Sequence, residues 1–214
     1  MQFAALILTL AQAATPATAA APPVPAGPFV ALDVAQGRTA LGTVTIALDR
    51  AKAPVSVENF LRYVREGHYD GTLFHRVMPG FMIQGGGLTA ELEEKPTHEP
   101  IVNEAKNGLH NARGTVAMAR VNAPNSATSQ FFVNVRDNFR LDFGISGAGY
   151  AVFGQVVDGM DTVDRISLVA TSSRGQYENV PQVPVVIRRA RELKIWAPPP
   201  APAAAPDVPR PASH

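Results

Sequence analysis

The chain has 214 residues, of which 46% are hydrophobic and 17% charged, so it is long enough for one well-buried domain and short of two. Its formal net charge of +1 gives no bulk attraction to nucleic acid or to an acidic membrane surface. The absence of cysteine excludes disulfides, thiol catalysis, thiolate metal sites and a lipid-modified N-terminal cysteine.

Residues 1–21 are typical of a secretory signal peptide. An apolar run precedes a segment rich in Ala and Thr, which offers A-x-A cleavage sites at residues 17–19 and 19–21. The segment departs from the usual pattern because no Lys or Arg precedes the run, so a disordered tail or a membrane anchor stays open as an alternative. Because the run is too short to span a bilayer, we predict cleavage and export, with residues 22–28 as a Pro-rich linker.

Hydrophobic periodicity predicts a folded domain over residues 29–196 with many short strands and two helices. The predicted helices are residues 54–66, with Ser56 as N-cap and Gly67 at the end, and residues 158–166, with Asp158 as N-cap. The predicted strands are residues 29–34, 41–48, 73–78, 81–84, 114–120, 130–135, 150–157 and 185–195, and the main loops are residues 89–107, 136–149 and 172–184. This pattern favours an antiparallel barrel or sandwich whose open ends are covered by helices.

The C-terminal segment, residues 197–214, is rich in Pro and Ala. Such a composition offers too little apolar side chain to offset the entropy of ordering, so we predict that the segment is disordered.

Several common chemistries have no support in the sequence. The five histidines (His68, His75, His98, His110 and His214) lack metal-ligand spacing, so no metal site is predicted. The glycines at residues 85–87 are not followed by the Gly-Lys-Ser/Thr of a phosphate-binding loop. The aspartates at positions 137, 142, 158 and 161 are interpreted as turn and cap residues, not as an acid–base pair.

One stretch, residues 73–87, combines two short apolar runs with a turn at Pro79-Gly80. The predicted hairpin brings together Phe74, Arg76, Met82 and Gln84, a mixture more typical of a site than of a core wall. Taken alone, however, the stretch favours a core hairpin with Arg76 and Gln84 reaching out to solvent.

Three blocks of sequence together resemble the cyclophilins, which are peptidyl-prolyl cis–trans isomerases. The blocks are FHRVMPGFMIQGG at residues 74–86, GTVAMAR with SATSQFFVNV at residues 114–120 and 126–135, and RLDFGISGAGYAVFGQVVDGMD at residues 140–161. The resemblance covers roughly residues 29–195 and is closest to the periplasmic bacterial branch. It implies a mainly β fold, a closed eight-stranded antiparallel barrel capped by two α-helices, with no metal or cofactor.

The resemblance also implies a set of site residues. Arg76 matches the catalytic arginine of the family, and Arg140 stands where the best-known members have the tryptophan that contacts cyclosporin. Because Arg140 departs from the pattern, one wall of the pocket is uncertain, and Phe139 is an alternative occupant. The implied substrate-binding residues are the proline pocket (Phe81, Met82, Phe132, Leu141), the polar groups beside the substrate backbone (Gln84, Gln130), the strand edge along which the peptide lies (Ala119, Arg120), and Tyr150 in the place of a pocket histidine.

The family activity has a physical rationale in these residues. The barrier to rotation about a peptide bond is ~18–20 kcal/mol, and a guanidinium that binds the twisted proline nitrogen lowers it by differential binding of the transition state. We therefore expect an isomerase that acts on proline-containing, folding exported proteins in the periplasm, as a monomer, without nucleic acid and without stable membrane insertion. The alternative is a non-catalytic proline-peptide-binding or chaperone module on the same barrel.

Overall fold

The computed structural model of the protein describes residues 27–197. The predicted signal peptide, most of the linker and all but the first residue of the predicted C-terminal tail lie outside these residues. Ten strands and two α-helices make up the described part, in the order β1 (Phe29–Gln36), β2 (Thr39–Leu48), α1 (Pro54–Arg65), β3 (Arg76–Met78), β4 (Met82–Gly85), β5 (Thr115–Met118), β6 (Phe131–Asn134), β7 (Val152–Asp158), α2 (Met160–Ser167), β8 (Thr171–Arg174), β9 (Tyr177–Pro181) and β10 (Val185–Leu193). A 3₁₀ turn, Phe139–Leu141, lies between β6 and β7. Among the described residues, no helix has the length and apolar character needed to cross a membrane.

Eight strands form one antiparallel sheet in the order β10-β1-β2-β7-β5-β6-β4-β3. The two ends of this sheet meet, because Leu73, just before β3, bridges to Val186 in β10. Backbone hydrogen bonds beside the bridge, from Phe74 N to Val185 O (2.9 Å) and from Ile187 N to Thr72 O (2.8 Å), extend the contact. The sheet therefore closes into the eight-stranded barrel that the resemblance implied, and that prediction is confirmed.

The barrel interior and helix α1 share one core. Phe60 of α1 is fully buried, and its ring centroid lies 5.0–5.4 Å from those of Tyr69, Phe131 and Phe153. Inward-facing residues of the sheet, such as Ile83 and Val133, complete this cluster. Because strand side chains alternate between faces, their neighbours point out of the barrel, where the candidate site lies.

The ends of helix α1 differ in how well the sequence predicts them. Gly67 follows the helix with φ +67°, as predicted for a left-handed C-terminal residue. Ser56 is not the N-cap: that position is Ala53, with Pro54 in the first turn. The carboxylate of Glu104, on a distant loop, instead accepts hydrogen bonds from Val55 N (3.0 Å), Ser56 N (2.7 Å) and Ser56 Oγ (2.6 Å).

Two other local predictions are wrong. Asp158 ends β7, and the N-cap of α2 is Gly159 with φ +82°, where a Cβ would lie 2.1 Å from Thr43 O. Only glycine allows so close an approach at that dihedral angle. The predicted loop over residues 172–184 contains the hairpin β8–β9, whose exposed polar strands carry little apolar pattern, and Val180 is its buried anchor.

Candidate active site

The hairpin β3–β4 places two predicted site residues side by side. Arg76 and Gln84 are directly paired across the two strands, and Met78 pairs with Met82 on either side of the Pro79-Gly80 turn. Arg76, Met82 and Gln84 face outward together, whereas Phe74 precedes β3 and packs into the barrel core. The hairpin therefore brings three of the four predicted residues to one outward face.

Strands β5 and β6 supply the apolar floor. Ala117 pairs with Phe132, and Met82, Ala119 and Val152 join them in an outward-facing cluster that is separate from the barrel core. These five side chains are at most 8% exposed. Partly buried apolar residues surround the cluster: Met78, Phe81, Leu109, Leu141 and Tyr150.

All ten predicted site residues line two adjoining pockets. The first has a volume of about 150 Å³ and is lined by Arg76, Phe81, Met82, Gln84, Ala119, Arg120, Phe132, Leu141 and Tyr150. The second, of about 160 Å³, contains Gln130 and shares Gln84, Ala119 and Arg120 with the first. The two amides meet at the boundary, where Gln84 Nε2 donates to Gln130 Oε1 over 2.9 Å.

Arg120 is fixed at the boundary between the two pockets. Its Nε donates to Gly149 O (2.9 Å) and its Nη1 to Val121 O (2.8 Å), while the guanidinium lies 4.5 Å from the centroid of the Tyr150 ring. Tyr150 in turn meets Phe132 edge-to-face at 5.7 Å. These contacts place a positive charge beside the apolar pocket in a defined orientation.

A buried polar network supports two walls of the pocket. Asn138 Nδ2 donates to Phe81 O (2.8 Å) and to Asn134 Oδ1 (2.7 Å), and Asn134 Nδ2 donates to Asn111 Oδ1 (3.2 Å). Asn111 donates to Asp142 Oδ1 from its backbone N (2.7 Å) and from its side chain (2.9 Å). The chain of contacts runs from the Phe81 wall to the segment that carries Leu141.

Asp142 is thus more than the turn residue that the sequence suggests. Burial raises the pKa of its carboxyl group, but the hydrogen bonds from Asn111 and from His110 outweigh burial, so the net pKa is below the ordinary value. The network was missed because an Asn or Asp in a loop is usually solvated, and no sequence pattern distinguishes these four polar residues from such loop residues.

Neither Arg140 nor Phe139 forms the pocket wall that the resemblance assigned to this position. Arg140 and Phe139 are both exposed, Phe139 by 48%, and neither lines the pocket. The Phe139 ring lies edge-on to His110 at 5.9 Å instead. Of residues 139–150, Leu141 and Tyr150 line the pocket.

His75, next to Arg76 in the chain, faces away from the pocket lining. It is 5% exposed, and its Nδ1 has no hydrogen-bond partner among the described residues. Burial lowers its pKa to about 4, with the neighbouring Arg76 charge acting in the same direction and a hydrogen bond to the Leu73 backbone opposing both.

A larger cavity of about 350 Å³ opens beside the cluster and shares Leu109 and Val152 with it. None of the ten predicted site residues lines this cavity. Within residues 27–197, no group of three or more His, Asp or Glu side chains is arranged to hold a metal ion.

Comparison with known proteins decides the family. The family described as "Cyclophilin type peptidyl-prolyl cis-trans isomerase/CLD" matches residues 32–192. The chain belongs to the cyclophilin-type peptidyl-prolyl cis–trans isomerases. It is therefore an enzyme of that class, as the resemblance of the three sequence blocks implied.

Bacterial members of the cyclophilin family are among the similar sequences. Peptidyl-prolyl cis-trans isomerase A of Dickeya dadantii is 55% identical over 156 residues, which cover 73% of this chain and 82% of the relative. Peptidyl-prolyl cis-trans isomerase B of Escherichia coli is 55% identical over 149 residues, covering 68% of this chain and 91% of the relative. These relatives confirm the resemblance to the bacterial branch.

Solved cyclophilins share the fold. A Cryptosporidium parvum cyclophilin, crystallised in the presence of the dipeptide Ala-Pro, superposes with a TM-score of 0.63. The match covers 78% of this chain and 99% of that structure at 22% sequence identity. It confirms the mainly β barrel with two helices.

Proposed function

We propose that this cyclophilin isomerises X–Pro bonds in the pocket between Arg76 and Leu141, with Arg76 as the catalytic electrophile. The observation that carries the proposal is the direct pairing of Arg76 with Gln84 at the rim of an apolar pocket of about 150 Å³. The Ala-Pro dipeptide used with the Cryptosporidium parvum relative supports a proline-containing peptide as the substrate.

The apolar side chains would bind the proline ring. Phe132 and Met82 are nearly fully buried at the floor, and Phe81 and Leu141 stand at the sides, so a ring placed there loses most of its contact with water. The ring is then held while the peptide group before it remains able to rotate. Gln84 and Gln130 would hold the flanking backbone by hydrogen bonds.

Arg76 would act on the bond itself. In the planar ground state the nitrogen lone pair is delocalised into the carbonyl, and in the twisted state it returns to the nitrogen and can accept a hydrogen bond. Arg76 is partly exposed at the rim, and its guanidinium has no hydrogen bond to another described residue. It is therefore available to donate to that nitrogen, which stabilises the twisted state more than the planar one.

The proposal is tested by Arg76→Ala. A hydrogen bond to a charged group is worth ~1.5–3 kcal/mol, so kcat/KM on an X–Pro peptide should fall roughly 10- to 150-fold. Arg76→Lys is the matched control, since it keeps the charge but loses the fork of donors and should retain intermediate activity. Wild-type activity in a folded Arg76→Ala variant, judged by circular dichroism, would exclude Arg76 as the catalytic electrophile. Absence of turnover by the wild type would instead favour a non-catalytic binding module.

We also propose that the protein is exported to the periplasm and acts there on folding polypeptides. The apolar segment and the A-x-A sites within residues 1–21 support export, and they lie outside the described residues. Cell fractionation followed by N-terminal sequencing tests this part: a mature N-terminus near Ala20 is expected, and an intact Met1 in the cytoplasm would contradict it.

A further inference from the structure

The C-terminal segment repeats the kind of bond on which the proposed site acts. It contains Ala197-Pro198, Ala201-Pro202 and Ala205-Pro206, and only the first residue of these six lies within the described part of the chain. Each is an X–Pro bond with a small residue before the proline. These bonds are of the type that the proposed site isomerises, so the segment has the sequence of a candidate substrate.

The segment leaves the barrel from a fixed point. The Trp196 ring packs 5.2 Å from the Phe29 ring, and Phe29 pairs with Leu193 of β10 and with Ala47 of β2. The last described residues are therefore attached to β1. The site lies on β4, β5 and β6. Around the closed barrel, β5 is three strand steps from β1 in one direction, β4 is three steps in the other, and β6 lies between them.

Among the three Ala–Pro bonds of the tail, chain length favours the last. Neighbouring strands are ~4.8 Å apart, so three steps along the barrel wall amount to ~14 Å before the offset along the strands is added. A Pro-rich chain spans ~3.1 Å per residue, which gives ~12 Å from Ala197 to Ala201 and ~25 Å to Ala205. Ala205-Pro206 can reach the pocket, Ala201-Pro202 is at the limit, and Ala197-Pro198 is held too close to Trp196.

The charges around the pocket favour the same bond. Among the described residues that line the two pockets, Arg76 and Arg120 carry charge and no carboxylate is present. Arg140 stands exposed next to Leu141 in the lining. In the tail, Asp207 follows Pro206 directly, which would place a negative charge next to these guanidinium groups when Pro206 occupies the pocket.

We propose that the active site binds and isomerises Ala205-Pro206 of its own chain, and that this intramolecular substrate competes with external peptides. The inference rests on the proposed function of the same pocket. Attachment to the same chain gives a local concentration of the order of mM, which is comparable with the upper range of enzyme KM values, so we expect the tail to occupy the pocket for about half of the time.

The direct test measures isomerisation in the full chain by NMR exchange spectroscopy on the residues that flank each proline. The uncatalysed exchange takes tens to hundreds of seconds. We expect exchange at Ala205-Pro206 to be at least ~100-fold faster, to be independent of protein concentration, and to slow in Arg76→Ala by the same roughly 10- to 150-fold as external turnover. Pro198 serves as the internal control, because its bond should exchange at the uncatalysed rate.

A competition assay on an external X–Pro peptide provides the second measurement. Pro206→Ala should raise kcat/KM about twofold, and the matched variant Pro198→Ala should leave it unchanged. If the external peptide is turned over but Pro206 exchanges no faster than Pro198, the inference fails and the proposed function stands. If the Pro206 rate increases in proportion to protein concentration, the reaction occurs between molecules, and the intramolecular claim fails. If the external peptide is not turned over, the proposed function fails, and the inference fails with it.

Discussion

Gln84 reaches across the boundary of the two pockets and donates a 2.9 Å hydrogen bond from its side-chain amide to the side-chain oxygen of Gln130. Gln130 is itself packed against Gly87, where an added Cβ would lie 2.5 Å from Gln130 Cγ. The orientation of one proposed substrate-binding amide therefore depends on a second amide and on a glycine that leaves room for it.

Gln130→Ala should lower kcat/KM about fivefold, because the net value of such a hydrogen bond is about 1 kcal/mol. Gly87→Ala should lower it as well, since the new methyl group displaces Gln130. Peptide isomerisation kinetics measure both effects. Gln182→Ala, at an exposed glutamine outside the pocket lining, is the matched control, and equal rates for it and for Gln130→Ala would show that the amide pair has no role.

His75 should leave the pH profile of activity flat. Its pKa of about 4 keeps the ring neutral between pH 6 and 8, and no other titrating group is assigned a proton transfer in the proposed mechanism. We expect kcat/KM to be constant over that range in a steady-state assay. A bell-shaped profile would show that a catalytic group with a pKa in this range has been overlooked.

The same pKa predicts a stability change in acid. Because the folded-state pKa of about 4 lies below the ordinary histidine pKa of 6.5, the unfolded chain binds more protons between these two pH values. The stability that the neutral His75 ring contributes is fully present above pH 6.5 and is lost as the pH falls towards 4. This loss lowers the free energy of unfolding by about 3 kcal/mol. Thermal unfolding of wild type and His75→Gln at pH 7 and pH 4.5 checks this: the wild type should lose more stability. An equal loss in both would contradict the depressed pKa.

Asp142 should be needed both for stability and for the shape of the pocket. Asp142→Ala leaves the buried Asn111 backbone N–H without its acceptor and its side-chain amide with only the Tyr150 carbonyl at 3.3 Å, which should cost about 1–3 kcal/mol in the free energy of unfolding. The Leu141 wall then loses its support, so KM for an X–Pro peptide should rise. Denaturant unfolding and kinetics measure the two effects. Asp161→Ala, with a side chain that is 78% exposed, is the control and should change neither.

Arg140 should weaken the binding of cyclosporin, for which the resemblance implies a tryptophan contact. A large apolar contact is worth about 1.5–3 kcal/mol, so Arg140→Trp should tighten binding roughly 10- to 150-fold in a titration. Phe139→Ala should leave cyclosporin affinity unchanged, because Phe139 lies beside His110 and outside the pocket lining. Loss of affinity in Phe139→Ala would instead show that Phe139 moves into the open place when ligand binds.

The apolar pattern of the strands and the Pro and Gly of the turns predicted most of the strands but left a barrel or a sandwich open, and the closed barrel came from the family resemblance. The ten proposed site residues came from the family resemblance, and the structure places all ten around two adjoining pockets. From the residues alone, the hairpin of Arg76 and Gln84 favoured an ordinary core element, since one strand pair does not reveal which other strands complete the outward face.

Contacts between distant segments could not be predicted in the same way. The pairing of Asn138 with the Phe81 carbonyl and of Asn111 with Asp142 joins loops that are 57 and 31 residues apart in sequence. The hairpin β8–β9 was missed because its strands are polar and exposed, so they show neither the alternation nor the buried run by which strands are recognised.

The capping of helix α1 by Glu104 has a consequence for the order of folding. The backbone N–H groups of Val55 and Ser56 find their acceptor 48–49 residues further along the chain, and the N-cap residue itself makes no side-chain hydrogen bond. The first turn of α1 is therefore completed only when the loop around Glu104 has docked, whereas its C-terminal end is closed by the adjacent Gly67. We expect the N-terminal turn to form late in folding, so that losing Glu104 speeds unfolding more than it slows folding.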